Sequence, residues 1–149
     1  MAYNNNYQRP QQPRYNAAPP QPVEIRALPL PEDYVDAAEK VIQSLDQKRA
    51  ITTSKLRNLL SLVSDIYNVE NLRDDPQLLP ESKTALTMLR IRVVYEAGRE
   101  QKVKDFVQAA KLLEYIKGIG NDRVKLIDFA HYMEALVAYH RYLIGGREG

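Results

Sequence analysis

Ile51-Thr52-Thr53-Ser54-Lys55-Leu56-Arg57-Asn58-Leu59-Leu60-Ser61-Leu62-Val63-Ser64-Asp65-Ile66-Tyr67 decides the fold class. Its three consecutive hydroxyl residues can cap the exposed N–H groups of a first helical turn. Beyond them Leu56, Leu59, Leu60, Val63, Ile66 and Tyr67 recur three and four positions apart, which puts them on one face of a helix. Upstream, Pro29 and Pro31 hold an extended approach to a helix expected over Glu32 to Gln47, with Tyr34, Ala38, Val41, Ile42 and Leu45 inward. Downstream, Asp74-Asp75-Pro76 and Leu79-Pro80 break the chain, and a third helix is expected from Glu81 to Ala97, ended by Gly98. A fourth is expected over Gln101 to Lys117, with Val103, Phe106, Val107, Ala110 and Leu113 inward and Gly118 as its stop. The last opens at Asn121-Asp122, lines up Leu126, Phe129, Ala130, Met133, Leu136, Val137, His140 and Leu143, and ends at Gly145-Gly146. No segment alternates with period two for long enough to argue a strand. The expected fold is all-α, a single bundle of about five helices.

The chain has 149 residues, 44% of them hydrophobic, which suits one domain with a real core. Pro10, Pro13, Pro19, Pro20 and Pro22 sit among Asn, Gln and Tyr, a composition that cannot bury enough apolar surface to order itself. Residues 1–28 are therefore expected to form a disordered tail and residues 29–149 the helical domain. Absence of cysteine removes disulfides, thiolate catalysis, iron–sulfur clusters and cysteine-based zinc sites. With no signal-like or membrane-length apolar run, the expected location is the cytoplasm.

Net charge is only +2, but the signs are segregated. Residues 23–46 carry two basic against six acidic side chains, and residues 47–64 four basic and no acidic ones. Residues 65–89 carry two basic against five acidic, and residues 90–125 nine against five. Such a chain can turn a basic face to a polyanion while an acidic face meets something else, or it can simply solvate its helices.

Catalysis is hard to build from these residues. His131 and His140 lie on one expected helix about 180° apart, so they cannot share a site. His140 is expected in the core, with His131 pointing away. The acids show no paired or metal-ligating spacing, and neither an enzyme, a cofactor nor a metal site is expected. Binding is easier to build. With Leu86 at 0° on the third helix, Leu89, Val93 and Ala97 cluster at roughly 340°, while Arg92, Tyr95 and Arg99 fall at roughly 240°, 180° and 220°. Two arginines flanking a tyrosine can grip phosphates and stack on a base or sugar. The plainer reading pairs those arginines with Glu96 or Glu100 on an exposed helix. Lys48, Arg49, Lys55 and Arg57 form the other basic block, with Lys55 and Arg57 about 200° apart around their helix. Ile116-Lys117-Gly118-Ile119-Gly120 also resembles the helix-hairpin-helix motif, whose turn offers backbone N–H groups to duplex DNA. The same letters serve any helical hairpin that stops at a glycine.

Taken together, residues 51–60, Arg90-Ile91-Arg92-Val93-Val94-Tyr95-Glu96-Ala97-Gly98-Arg99 and Phe129-Ala130-His131-Tyr132-Met133-Glu134-Ala135-Leu136-Val137-Ala138-Tyr139-His140 resemble the small subunit of the type III-A CRISPR-Cas effector, the Csm complex. The resemblance runs from about Leu45 to Gly145 in order and spacing; the tail departs from it. It implies a non-catalytic helical protein lining the groove that holds target RNA along the guide RNA, beside other Csm subunits and further copies of itself. It further implies that Lys55, Arg57, Arg92 and Arg99 lie beside the RNA backbone. The charge pattern adds Lys48, Arg49 and Tyr95 to the candidate RNA contacts. A helix-hairpin-helix DNA-binding module and a plain helical interaction scaffold remain the alternatives.

Overall fold

The computed structural model describes residues 24–145, so residues 1–23 of the expected tail, and Gly146 at the far end, lie outside the described residues. Six helices follow one another: α1 (Tyr34–Ser44), α2 (Thr53–Glu70), α3 (Pro80–Arg99), α4 (Gln101–Ala109), α5 (Leu112–Ile119) and α6 (Arg123–Leu143). The all-α bundle stands, with six helices where about five were expected.

The extra helix comes from a break in the segment expected as one helix over Gln101 to Lys117. Lys111 adopts a left-handed conformation with φ 53°. The Tyr132 hydroxyl donates to the Ala110 carbonyl at 2.9 Å, an acceptor that a continuous helix would reserve for its own backbone four residues on. Tyr132 and Ala110 are both buried, so the bond forms out of water and holds the kink. The glycine stops also move. α3 runs past Gly98 to Arg99 and ends where Glu100 turns extended, while Gly118 lies inside α5 and Gly120, at φ 57°, ends it. Gly118 is needed for close approach rather than for a turn. A Cβ at this position would run into the backbone carbonyl of Leu28. Residues 24–30 form neither helix nor strand, and Leu28 N–H donates to the Glu114 carbonyl at 3.1 Å.

α1 is shorter than expected because Asp46 accepts the Lys48 N–H on its side chain at 3.0 Å, a local turn that competes with helix. α2 starts as expected: the Thr52 hydroxyl accepts from Lys55 N–H at 3.3 Å. The Asp122 carboxylate caps α6 by accepting from Lys125 N–H at 3.1 Å.

Helix α6 is the centre of the bundle, packed against α1, α2 and α5. Leu126, Phe129, Tyr132, Met133 and Leu136 of α6 join Ala38, Ile42, Leu56, Val63, Phe106 and Ile116 in one core. His140 is buried as expected, its Nε2–H donating to the Ile51 carbonyl at 2.7 Å. His131 does not point away into solvent. It is half-buried, with Nδ1 3.4 Å from the Tyr34 hydroxyl and its ring 5.6 Å from that of Tyr67, because α1 and α2 cover α6 on that side too.

Candidate nucleic-acid interface

α2 and α3 are antiparallel neighbours joined by residues 71–79, so the start of α2 lies beside the end of α3. Between them runs a groove of about 940 Å³ whose lining includes Lys55, Asn58, Asp65, Arg92, Glu96 and Arg99, with Leu62 and Met88 along its walls. Lys55 enters from the first turn of α2. Arg92 and Arg99 enter from the last turns of α3, almost two turns apart and therefore on one side of the helix.

Carboxylates hold all three cations. Glu96 Oε1 lies 3.4 Å from Arg92 Nη2 and 3.9 Å from Arg99 Nη1. Lys55 forms an ion pair across the helices with Glu100, the residue that ends α3. The arginine side chains remain 60% and 66% exposed, so these pairs sit at the water boundary, whereas Glu96 is only 21% exposed. The plainer reading of the helix, arginines paired with Glu96, is thus present together with the groove.

The structure brings together Lys55, Arg92 and Arg99 in the groove and leaves the other four candidates outside its lining. Tyr95 neighbours Arg92 and Arg99 on α3, three and four residues away, but lines a separate depression of about 530 Å³ with Ile25, Arg90, Ile91, Val94, Leu113 and Lys117. The stripe expected to combine Arg92, Tyr95 and Arg99 is present along α3, with its arginines lining the groove beside α2 and Tyr95 lining the depression on the α5 side. Arg57 is exposed on α2 and lines neither groove; Lys48 and Arg49 are exposed in the α1–α2 connection. Sequence reasoning missed Asn58 and Asp65 as groove residues. Their spacing from Lys55 along α2 carried the signal.

The glycine turn offers little to a phosphate. Ile119 is buried, Asp122 N–H donates to the Ile119 carbonyl at 3.0 Å, and Arg123 N–H donates to the Pro76 carbonyl at 3.0 Å. The Arg123 guanidinium is also committed, to the backbone carbonyls of Asp75 at 2.7 Å and Glu70 at 2.9 Å. The turn is a docking point for the α2–α3 connection. Among the described residues, no three His, Asp or Glu side chains gather as a metal site would require, and no helix is long and apolar enough to cross a membrane.

Comparison with known proteins gives this architecture a family. The sequence model of the family described as Csm2 Type III-A matches residues 29–145. The chain belongs to that family. The CRISPR system Cms protein Csm2 of Mycobacterium tuberculosis is 44% identical over 117 residues, 76% of this chain and 94% of its own length. The protein of that name from Streptococcus thermophilus is 40% identical over 126 residues, 82% of this chain and 99% of its own. That from Enterococcus italicus is 35% identical over 95 residues, covering 62% and 67%. The family named in the sequence analysis from three short stretches is the one these matches give. The Csm2 match spans all six helices and hence both walls of the groove.

Proposed function

We propose that this chain is a small subunit of an RNA-guided type III-A CRISPR interference complex, non-catalytic, whose α2–α3 groove lies along the backbone of target RNA. The observation that carries the reading is the convergence of Lys55, Arg92 and Arg99 from two helices on one open groove. Guanidiniums at the water boundary can exchange a carboxylate for a phosphate of similar geometry. Such contacts read backbone and not base, so sequence selection is left to pairing between guide and target RNA. Lys48, Arg49 and Arg57 add exposed basic surface outside the groove lining, and Tyr95, beside Arg92 and Arg99 on α3, lines the adjoining depression. Other Csm subunits and further copies of the chain are its proposed protein partners, and the exposed Ile91, Val94 and Tyr95 of α3 give them apolar surface. The cytoplasm is its proposed location. The committed N–H groups at residues 122 and 123 favour this reading over a helix-hairpin-helix DNA module.

Arg92→Ala combined with Arg99→Ala tests the assignment in the assembled complex. Each charge-assisted bond to phosphate is worth about 1.5 to 3 kcal/mol when shielded and less in water. Target-RNA capture should fall by about tenfold, most strongly at low salt. Normal capture by this variant would remove the groove from the function. The chain alone, given RNA with Mg²⁺ or Mn²⁺, should leave it intact.

A further inference from the structure

In the free chain the groove is electrically balanced. Lys55, Arg92 and Arg99 share its lining with Asp65 and Glu96, and Glu100, paired with Lys55, makes three carboxylates for three cations. The arrangement is more specific than a balance. Arg92 and Arg99 both approach the same oxygen of Glu96, so that carboxylate occupies the space between two guanidiniums where one phosphate oxygen would sit. Glu100 does the same for Lys55 from the neighbouring helix end.

We propose that Glu96 and Glu100 are specificity residues, internal stand-ins for phosphate that close the groove to isolated anions and yield only to a strand presenting several phosphates at once. The inference rests on the groove reading above and deepens it. An incoming phosphate that leaves Glu96 in place meets a like charge across a partly desolvated gap, and one that displaces Glu96 merely trades one ion pair for another. For a mononucleotide the exchange returns almost nothing. A strand gains from several exchanges at once and releases a counterion with each phosphate engaged, so its favourable terms accumulate. Prepaired arginines are also held in position beforehand, which lowers the side-chain ordering cost when the strand arrives.

The test uses the full-length chain carrying Glu96→Gln and Glu100→Gln, changes that keep side-chain shape and remove charge. Binding is measured across a salt series to a labelled single-stranded uridine oligomer of about twenty nucleotides, and separately to uridine monophosphate. Glu81→Gln with Glu134→Gln, the same two-charge change at exposed positions outside the groove, is the reference for general electrostatics. The Glu96→Gln, Glu100→Gln variant should bind the oligomer about three- to tenfold more tightly at low salt, with a salt slope steeper by about 0.7 for each cation released, and should bind the mononucleotide detectably. Lys55→Ala, Arg92→Ala and Arg99→Ala together in that background should erase the gain. A gain no larger than that of this reference variant, or one that survives loss of all three cations, overturns the proposal. If the arginine variant weakens RNA capture by the assembled complex but the glutamine variants gain nothing, the stand-in role alone is lost. Normal capture by the arginine variant overturns both.

Discussion

The α2–α3 hairpin carries a carboxylate cluster at each end, and the two ends behave as opposites. At the connection end, Glu70 is 0% exposed; its Oε2 accepts from Arg73 Nη1 at 2.6 Å and its Oε1 from Leu79 N–H at 2.9 Å. Arg73 bonds onward to the Gln77 carbonyl at 3.0 Å, so the whole connection is tied to one buried acid. At the groove end, Glu96 and Glu100 hold Arg92, Arg99 and Lys55 where water can reach the cations. Both ends pair acid with base, tightly at Glu70, 2.6 Å from Arg73, and more loosely at Glu96, 3.4 and 3.9 Å from its arginines. The larger difference is solvent. A buried pair cannot let go without leaving a bare charge, whereas an exposed pair loses little when a partner is exchanged. One end is built to persist and the other to trade.

The contrast predicts its largest effect at Glu70. Glu70→Ala strands the Leu79 N–H and the Arg73 guanidinium, and should cost about 3 kcal/mol, or about 10 °C in melting temperature. Burial opposes ionisation of Glu70, but the Ser82 hydroxyl, the Leu79 N–H and Arg73 together outweigh it and hold the carboxyl below its ordinary value of 4.5. Its contribution is therefore complete above that value and is lost as pH falls through the lower folded value. Thermal melts between neutral pH and pH 3 should show an acid-side loss of stability that Glu70→Gln flattens. An unchanged acid limb in that variant would mean that the closed end is not held by this charge.

A smaller effect is expected at Gly118, which tests what closes the other side of the molecule. Gly118→Ala puts a methyl against the Leu28 carbonyl and must push residues 25–28 off α5, breaking the Leu28 to Glu114 hydrogen bond. The expected loss is about 1 to 2 kcal/mol. Faster amide exchange at Leu28, with the α2–α3 connection still protected, is the accompanying sign. Protection lost at both places would mean that the two sides melt as one unit.

Much of this was legible in the sequence, for reasons tied to particular residues. The buried faces of α2 and α6 followed from helical periodicity alone, and the Thr52 and Asp122 caps from residue type at a helix start. Arg92, Glu96 and Arg99 could be paired on paper because three- and four-residue spacing fixes side-chain neighbours on a helix. The Lys55 pairing with Glu100 could not, because only the packing of α2 on α3 creates it. The break at Lys111 was hidden because its cause, the Tyr132 hydroxyl, lies on another helix and the local residues favour continuation. Gly118 misled for a related reason. A glycine near a helix end reads as a stop, yet this one is required by a backbone that crosses from residue 28.

The smallest effect should come from the open end. Arg92→Ala with Arg99→Ala removes two ion pairs with Glu96, but both arginine side chains are more than half exposed and neither packs in the core. Exposed pairs on one helix are worth a few tenths of a kcal/mol, and much of that is screened at physiological salt. Removing both should shift the melting temperature by about 1 °C or less and leave the circular dichroism spectrum unchanged. Glu96 is left without its partners, but a carboxylate at the mouth of an open groove can recruit water, which Glu70 cannot. A destabilisation approaching that of Glu70→Ala would show that the groove end is also a structural clamp, and the contrast between the two ends would collapse. A near-silent melt beside a loss of RNA capture would instead place these arginines at the surface for what they bind.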